Sequence, residues 1–218
     1  MRFPCLVLDH DDTVVNSTAV IHFPSFLAYL AQVRPGLSYT LDDYFRKNFD
    51  PGIIPLLKDE LGFTDEELEG EYQFWQGWVA SRIPKAYPGM REILDRYKAR
   101  GGKIAVISHS VSDVIRRDYR ENGLPEPDLI FGWELPPEHR KPHVWPLEQI
   151  MAEFQLAPDQ LLMLDDLKPG YDMCRAAGVP FAAAGWANDI PEIEGYMRRN
   201  CDYYFKTVAA FGNFLEQQ

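Results

Sequence analysis

Polar side chains follow three apolar runs of the chain, at the point where each run ends. They are Asp9 and Asp11, then Ser108, then the adjacent pair Asp165 and Asp166. Because the carboxyl ends of parallel strands line the ligand crevice of an open α/β sheet, these separate segments are expected to meet at one place. Carboxylates crowded at such a rim repel one another unless a cation lies between them. The pattern therefore predicts a carboxylate-rich site that binds a cation.

Each segment also has a simpler interpretation. Aspartates cluster in turns, and a serine at a strand end is often a helix cap. A calcium loop is an alternative for the first cluster, but Val14 and Val20 stand where such a loop needs its sharp-turn glycine and its bidentate glutamate. His139 and His143 are spaced like a zinc pair, but Pro142 between them disfavours the helix that such a site would use. The convergence of the segments, rather than any one of them, favours a functional site.

The sequence between these segments alternates strand patterns with helical patterns. Strands are predicted at residues 5–9, 103–108, 161–165, 181–184 and 203–205. Helices are predicted from residue 90 to a stop at 101–102, over 112–122 and 144–154, and around 171–177. Strands that alternate with helices form a parallel sheet with right-handed crossovers. The predicted fold class is therefore α/β with a parallel sheet core.

Residues 17–85 have a different pattern, because they contain no convincing strand. Thr64 and Glu67 have the spacing of a capping box, which marks the start of a helix. An apolar stripe follows at spacings of 4, 3 and 4 residues: Leu68, Tyr72, Trp75 and Val79. Such a stripe predicts an amphipathic helix whose tryptophans pack in a core. The predicted domains are an α/β core, residues 1–16 and 86–218, and an all-helical insert, residues 17–85.

The composition is that of an ordinary globular protein with an acidic balance. The chain has 218 residues and a formal net charge of −11 at pH 7. Nucleic-acid phosphates reward lysine and arginine, so no nucleic-acid partner is expected. The apolar-rich residues 16–33 include His22, Pro24 and Gln32 and fall short of a membrane span, so no membrane partner is expected either. Three cysteines without a CxxC spacing indicate a reducing compartment, which predicts a cytoplasmic location.

The segments that carry the polar residues resemble, in order, the four motifs of the haloacid dehalogenase (HAD) superfamily. Residues 9–13 resemble motif I, Asp-x-Asp-Gly-Thr, with Asp12 in place of the usual glycine. Motif II corresponds to Ser108, motif III to Lys141 and Pro142, and motif IV to Asp165 and Asp166 with Gly170. The proline that usually follows in motif III is displaced to Pro146. The resemblance covers essentially the whole chain and implies a Rossmann-like parallel sheet with an inserted all-α cap.

The spacing of these motifs indicates where the cap is inserted. Asp9 and Ser108 are 99 positions apart, whereas Ser108 and Lys141 are 33 apart. The insert therefore follows motif I. This arrangement is similar to the α-helical cap group that includes phosphoglycolate phosphatases, β-phosphoglucomutase and haloacid dehalogenases.

The resemblance also implies a role for each site residue. Asp9 is implied as the nucleophile and Asp11 as the general acid/base. The implied Mg²⁺ ligands are Asp9, Asp11 through its backbone carbonyl, Asp165 and Asp166, and the implied phosphate-binding residues are Ser108, His109 and Lys141. A phosphate ester is anionic, so an attacking carboxylate needs the charge compensation that a metal and a lysine supply.

These roles favour a Mg²⁺-dependent phosphatase that hydrolyses a small phosphorylated metabolite through an aspartyl-phosphate. A phosphomutase of the β-phosphoglucomutase type and a non-catalytic binding protein on the same scaffold remain alternatives. A dehalogenase is disfavoured because Asp11 and the acidic pair serve phosphoryl transfer. Arg46, Lys47, Arg82 and Lys85 are candidate cations of the insert. The expected assembly is a monomer or a small homo-oligomer.

Overall fold

A computed structural model describes all 218 residues. The strands are β1 Cys5–Leu8, β2 Val15–Asn16, β3 Lys85–Ala86, β4 Lys103–Ile107, β5 Leu129–Phe131, β6 Leu161–Asp165, β7 Phe181–Ala184 and β8 Tyr203–Phe205. The helices are α1 Phe23–Val33, α2 Leu41–Phe49, α3 Ile53–Pro55, α4 Asp65–Val79, α5 Met90–Ala99, α6 Ser112–Glu121, α7 Trp145–Phe154, α8 Lys168–Ala177, α9 Pro191–Asn200 and α10 Val208–Glu216. Short 3₁₀ turns lie at Pro137–His139 and Pro158–Gln160, and π-helical turns at Thr18–His22 and Leu56–Glu60.

The chain divides into two compact units. The α/β unit comprises residues 1–16 and 85–218, and the helical unit comprises residues 17–84. Lys85, which the sequence assigned to the insert, belongs to the α/β unit because it pairs with Asn16 in the antiparallel ladder of β2 and β3. None of the helices is both long enough and apolar enough to cross a membrane.

The α/β unit is built on a six-stranded sheet with the order β5-β4-β1-β6-β7-β8. Every neighbouring pair in it is parallel, and β1 lies in the middle between β4 and β6. The strand order reverses direction between β1 and β6. In a doubly wound sheet the ligand crevice forms at this switch point, outside the carboxyl ends of the strands. The predicted α/β class is confirmed, and the fold defines one edge where the site must lie.

The central strands are apolar on both faces, as parallel strands covered by helices must be. Leu6 and Leu8 of β1 pair with neighbours that are equally inaccessible, Ile104 and Val106 on one side and Leu162 and Leu164 on the other. Burying each of these side chains contributes about 1.5–3 kcal/mol. This core keeps the carboxyl ends of the strands rigid.

Five elements of the α/β unit escaped the sequence patterns: the helices α9 and α10 and the short strands β2, β3 and β5. The edge strand β5 has three residues, all half-buried, so it is too short to show a period. The two-residue strands β2 and β3 are shorter still. The strands predicted at 161–165, 181–184 and 203–205 have the predicted bounds, because each run of apolar residues stops at polar residues, proline or glycine.

In the helical unit, α4 begins at the predicted capping box. Glu67 N–H donates to Thr64 Oγ1 at 3.2 Å, and Thr64 N–H donates to Glu67 Oε2 at 2.9 Å. The predicted stripe is only partly correct, because Phe74 rather than Trp75 packs with Leu68 against the core of this unit. That core is made largely of aromatic and leucine side chains: Phe26, Tyr29, Leu30, Tyr44, Leu56, Leu57, Leu61 and Phe63.

Candidate active site

Three buried carboxylates lie together at the switch point of the sheet. Asp9 directly follows β1, and its backbone N–H donates to the carbonyl of Leu164 in β6 at 2.9 Å. Asp165 ends β6, and Asp166 follows it. One carboxylate oxygen from each of Asp9, Asp165 and Asp166 lies within 4.8 Å of the others. The predicted convergence of the first and last motifs is thus present in the structure.

Lys141 lies between two of these carboxylates. Its Nζ donates to Asp9 Oδ1 at 2.8 Å and to Asp165 Oδ2 at 2.7 Å, and its side chain is 1% exposed. Burial opposes the lysine charge, but the charges of Asp165 and Asp9 outweigh that effect and raise the pKa of Lys141. The ammonium group therefore stays charged at neutral pH, at the place that the third motif implies.

The lysine alone does not balance the carboxylates. Burial raises the pKa of Asp9 to about 7, although the charge of Lys141 opposes that rise. Burial and the charges of Asp12 and Asp165 also raise the pKa of Asp166. A group of buried carboxylates that disfavour ionisation is the arrangement that a further cation relieves.

Gly170 and Leu167 fix Asp165 from the side of α8. Leu167 N–H donates to Asp165 Oδ1 at 2.8 Å. A Cβ atom at Gly170 would collide with the Asp165 carboxylate. The glycine of the fourth motif is therefore required by close approach, not by backbone conformation.

Asp11 lies on the other side of the loop, next to the end of β4. Its Oδ2 accepts a hydrogen bond from Ser110 Oγ at 2.6 Å, and a longer contact of 3.5 Å joins it to Ser108 Oγ. The structure thus brings Asp11 together with Ser108, whereas the close carboxylate group contains Asp9, Asp165 and Asp166 without the Asp11 side chain. Ser110 was missed from the sequence. Its position two residues after Ser108, just beyond a strand, was the available signal.

Asp12 and Thr13 complete the loop. Asp12 is buried with a φ of 56°, in the left-handed region that favours glycine, and its backbone N–H donates to Val15 O at 2.7 Å. Thr13 Oγ1 donates to Asp166 Oδ1 at 3.3 Å. The loop after β1 is therefore hydrogen-bonded both to β6 and to Val15 at the start of β2.

His109 follows Ser108 and is half-buried against Trp133, with ring centroids 5.4 Å apart at an angle of 79°. Burial and the positive charge of Lys141 lower the pKa of His109 to about 3. The imidazole is therefore neutral at pH 7 and adds no charge beside Ser108. His139, the other histidine with a suggestive spacing, stacks on Trp145 with centroids 4.1 Å apart, so it has a packing role there.

Residues 6–184 match the family model of the haloacid dehalogenase-like hydrolases. The chain belongs to this family. The match spans every segment that forms the site, from the strand before Asp9 to the strand after Asp166. The chain is therefore a hydrolase of the haloacid dehalogenase type, as its motifs predicted.

Individual relatives agree with this assignment. The chain is 25% identical over 190 residues to a pyrophosphatase, PpaX, of Bacillus cereus (strain Q1), and 85% of each chain is covered. A Lactobacillus plantarum protein provisionally described as a phosphoglycolate phosphatase has the same fold, with a TM-score of 0.80, 19% identity and 100% of both chains covered. CbbY of Rhodobacter sphaeroides, solved with xylulose-(1,5)-bisphosphate, has a TM-score of 0.72, 16% identity and 94% of each chain covered.

Proposed function

We propose that this hydrolase is a Mg²⁺-dependent phosphatase that cleaves a small phosphorylated metabolite through an aspartyl-phosphate on Asp9. The observation that carries the proposal is the buried contact of Lys141 with Asp9 and Asp165 at the switch point of the sheet. A carboxylate held next to a permanent cation can act as a nucleophile toward an anionic phosphoryl group, because the cation reduces the repulsion between them.

The donor set fits a magnesium ion. Three buried carboxylates within 4.8 Å carry more negative charge than Lys141 balances. Oxygen ligands of this kind suit Mg²⁺, which retains several waters. Asp9, Asp165 and Asp166 would hold the ion, with the backbone carbonyl of Asp11. Bound there, Mg²⁺ supplies charge neutralisation to the transferring group.

The residues of the chain then divide the reaction into two steps. An oxygen of Asp9 attacks phosphorus, and the bond between phosphorus and the ester oxygen breaks as Asp11 delivers a proton to that oxygen. Asp11, now ionised, takes a proton from the water that attacks the acyl-phosphate, and Asp9 and inorganic phosphate are released. Ser110 holds the Asp11 carboxyl group in place for both proton transfers. Ser108, Lys141 and backbone N–H groups near His109 bind the phosphoryl oxygens.

A panel of phosphate esters with and without Mg²⁺ tests this proposal. The panel should contain pyrophosphate, phosphoglycolate and pentose phosphates, since these chemistries occur among the relatives. Asp9→Asn should abolish turnover, because an amide is not a competent nucleophile. Asp128→Asn, which changes an aspartate bonded to the backbone of Ile104 outside the site, is the matched control and should retain activity. Full activity of Asp9→Asn, or activity that survives EDTA, contradicts the mechanism.

We also infer a cytoplasmic location and a monomeric or small homo-oligomeric state. The three cysteines, Cys5, Cys174 and Cys201, are free thiols, which is typical of a reducing compartment. Light scattering of the purified protein would measure the assembly, and a large assembly would contradict this inference.

A further inference from the structure

A buried histidine–aspartate contact involves the residue that follows the nucleophile Asp9 in the chain. His10 stands between Asp9 and Asp11 in the sequence, and its side chain is 0% exposed. Its Nε2 lies 3.2 Å from Oδ2 of Asp118, a residue of α6 whose side chain is 2% exposed. Since an ionised carboxylate only accepts hydrogen bonds, Nε2–H of His10 donates to Asp118. The pair joins positions 108 residues apart in the chain.

Asp118 is itself held in place from its other oxygen. Arg117 donates to Asp118 Oδ1 from Nε at 2.9 Å and from Nη2 at 2.7 Å. The neighbouring Tyr119 stacks on the His10 ring, with centroids 5.9 Å apart at an angle of 26°. Three consecutive residues of α6 thus fix the direction of one imidazole.

The same histidine closes the catalytic loop through its backbone. The carbonyl of His10 accepts hydrogen bonds from the N–H groups of Val14 at 2.9 Å and Val15 at 3.1 Å. Motion of His10 would therefore move Asp9 and Asp11 together. In addition, α6 begins two residues after Ser110. The helix that contacts His10 therefore follows closely, in the chain, the serines that contact Asp11.

Stability alone does not account for this arrangement. Well-packed apolar side chains are often as stable as a buried polar contact or more so, because burying a carboxylate and an imidazole costs desolvation energy. His10 Nδ1 has no hydrogen-bond partner, which adds to that cost. Tyr119, which stacks on the His10 ring, belongs to the apolar core of this unit together with Leu8 and Ile115, so apolar side chains are at hand beside the contact.

We propose that His10 and Asp118 are positioning residues, which lock the loop of Asp9 and Asp11 onto α6 and so set the nucleophile in register with Ser108 and Ser110. The proposal rests on the phosphatase function inferred for the same site. It assigns the pair no contact with substrate and no proton transfer.

A double replacement, His10→Leu with Asp118→Leu, tests the proposal by removing both polar partners of the contact. Arg117 loses its bonds to Asp118 in this variant, but its side chain is partly exposed and can be solvated. The variant should keep a melting temperature near that of the wild type, while kcat falls on the order of 10- to 100-fold, the effect of a small misplacement of reacting groups. KM should change little, because the phosphate-binding residues remain. Asp118→Asn should retain more of kcat than the double variant, since its amide oxygen can still accept from His10 Nε2 even though its amide nitrogen cannot accept from Arg117. If the double variant does not fold, His10→Phe keeps the stacked ring, removes only the donor and carries the same expectation.

A control variant separates positioning from general destabilisation. Tyr97 Oη donates to the carbonyl of Phe3 at 2.7 Å, in the same unit but outside the catalytic loop. Tyr97→Phe removes a buried hydrogen bond and should lower the melting temperature while kcat of the folded enzyme is kept. An equal loss of kcat in Tyr97→Phe would overturn the positioning role, because any destabilisation would then produce it.

Amide hydrogen exchange gives a readout that does not depend on turnover. In the double-leucine variant, exchange at Val14 and Val15 should accelerate on the order of tenfold relative to the amides of β6, because the loop loses its anchor. Inactivity of the wild type on every ester would contradict the proposed function, while the exchange rates would still test the anchor. Unchanged exchange and unchanged kcat in the double-leucine variant would refute the positioning role.

Discussion

The α/β unit and the helical unit bury polar groups in different ways. Of twelve buried polar or charged residues, ten lie in the α/β unit, and the remaining two are Ser17 and Ser25. The helical unit buries aromatic rings instead, such as Phe26 against Tyr44 with centroids 4.8 Å apart. Buried charge costs free energy whereas buried rings contribute it. The difference indicates that the α/β unit gives up stability to hold a reactive site.

Two carboxyl groups sharpen this comparison, because burial raises the pKa of each to about 7. Asp9 of the α/β unit has Lys141 beside it and two more carboxylates within reach. Glu71 of the helical unit lies on α4, where the charge of His22 opposes the rise in its pKa. Asp9 belongs to a carboxylate cluster that a cation would neutralise, whereas no other carboxylate contributes to the raised pKa of Glu71. Variants of the two units should therefore respond differently to metal and to pH.

The largest effect is expected at Asp11. Asp11→Asn removes the proton donor and acceptor of both half-reactions, so kcat should fall by about 10²- to 10⁴-fold. Ser110→Ala should produce a smaller loss, because it frees the Asp11 carboxyl group without removing it. Steady-state kinetics measure both. Asp113→Asn, at an exposed aspartate early in α6, is the control, and a loss of similar size there would argue against a specific role for Asp11.

Magnesium should stabilise the α/β unit in a pH-dependent way. The folded-state pKa of Asp9 lies above its unfolded value of 3.8, so native protein binds protons more tightly and metal-free stability falls as pH rises from about 4 through 7. Mg²⁺ replaces those protons, so its stabilisation should be larger at pH 8 than at pH 5. A concentration 100 times Kd adds about 2.7 kcal/mol.

Differential scanning calorimetry with and without Mg²⁺ at both pH values checks this expectation. Asp166→Ala should remove most of the metal-induced rise in melting temperature, whereas Asp113→Ala should leave it intact. A melting temperature that ignores Mg²⁺ at pH 8 would contradict the assignment of the carboxylate group as a metal site.

The helical unit should show the pH effect without the metal effect. Glu71→Gln removes an acid whose raised pKa destabilises the fold once pH exceeds the unfolded value and the group must ionise. The variant should melt higher than the wild type by a small margin at pH 5 and by a larger margin at pH 8, with or without Mg²⁺. Glu69→Gln changes an exposed acid of the same helix and should not reproduce the pH-dependent gain. An unchanged difference across pH would mean that Glu71 ionises freely.

The sequence predicted the site residues that are marked by their position at the end of a strand. It did not predict the contacts between side chains that are far apart in the chain. Asp9, Ser108 and Asp165 each end an apolar run, so a sheet rule alone brings them together. His10 was not predicted as an anchor, because no sequence pattern near it indicates that Asp118 is its partner. The same limit explains why Phe74 was not predicted to pack in the core of the helical unit. Periodicity defines the apolar face of a helix but not the residues that this face contacts. Contacts between residues far apart in the chain can be identified only from the folded structure.

The smallest expected effect concerns Asp12, where the family motif has glycine. Its φ of 56° explains the usual glycine, and aspartate tolerates this geometry better than most residues. Its charge also acts on the site, because it raises the pKa of Asp166. Two like charges 4 Å apart repel by about 1 kcal/mol in bulk water and about 4 kcal/mol at an effective dielectric constant of 20. Asp12 should therefore disfavour an incoming phosphate.

Asp12→Gly should accordingly raise kcat/KM for generic phosphate monoesters by up to about tenfold, a factor that corresponds to about 1.4 kcal/mol. It should also reduce the differences in kcat/KM among these esters. Asp12→Asn separates charge from conformation, because asparagine also accepts the left-handed region. If charge is responsible, the asparagine variant should behave like the glycine variant, with weaker Mg²⁺ binding in both since a nearby negative charge is lost. If the turn conformation is responsible, asparagine should behave like the wild type. A fall in activity with a lower melting temperature in Asp12→Gly would reject the electrostatic role. Glycine adopts this φ without strain, so the destabilisation would come from a lost contact of the Asp12 side chain.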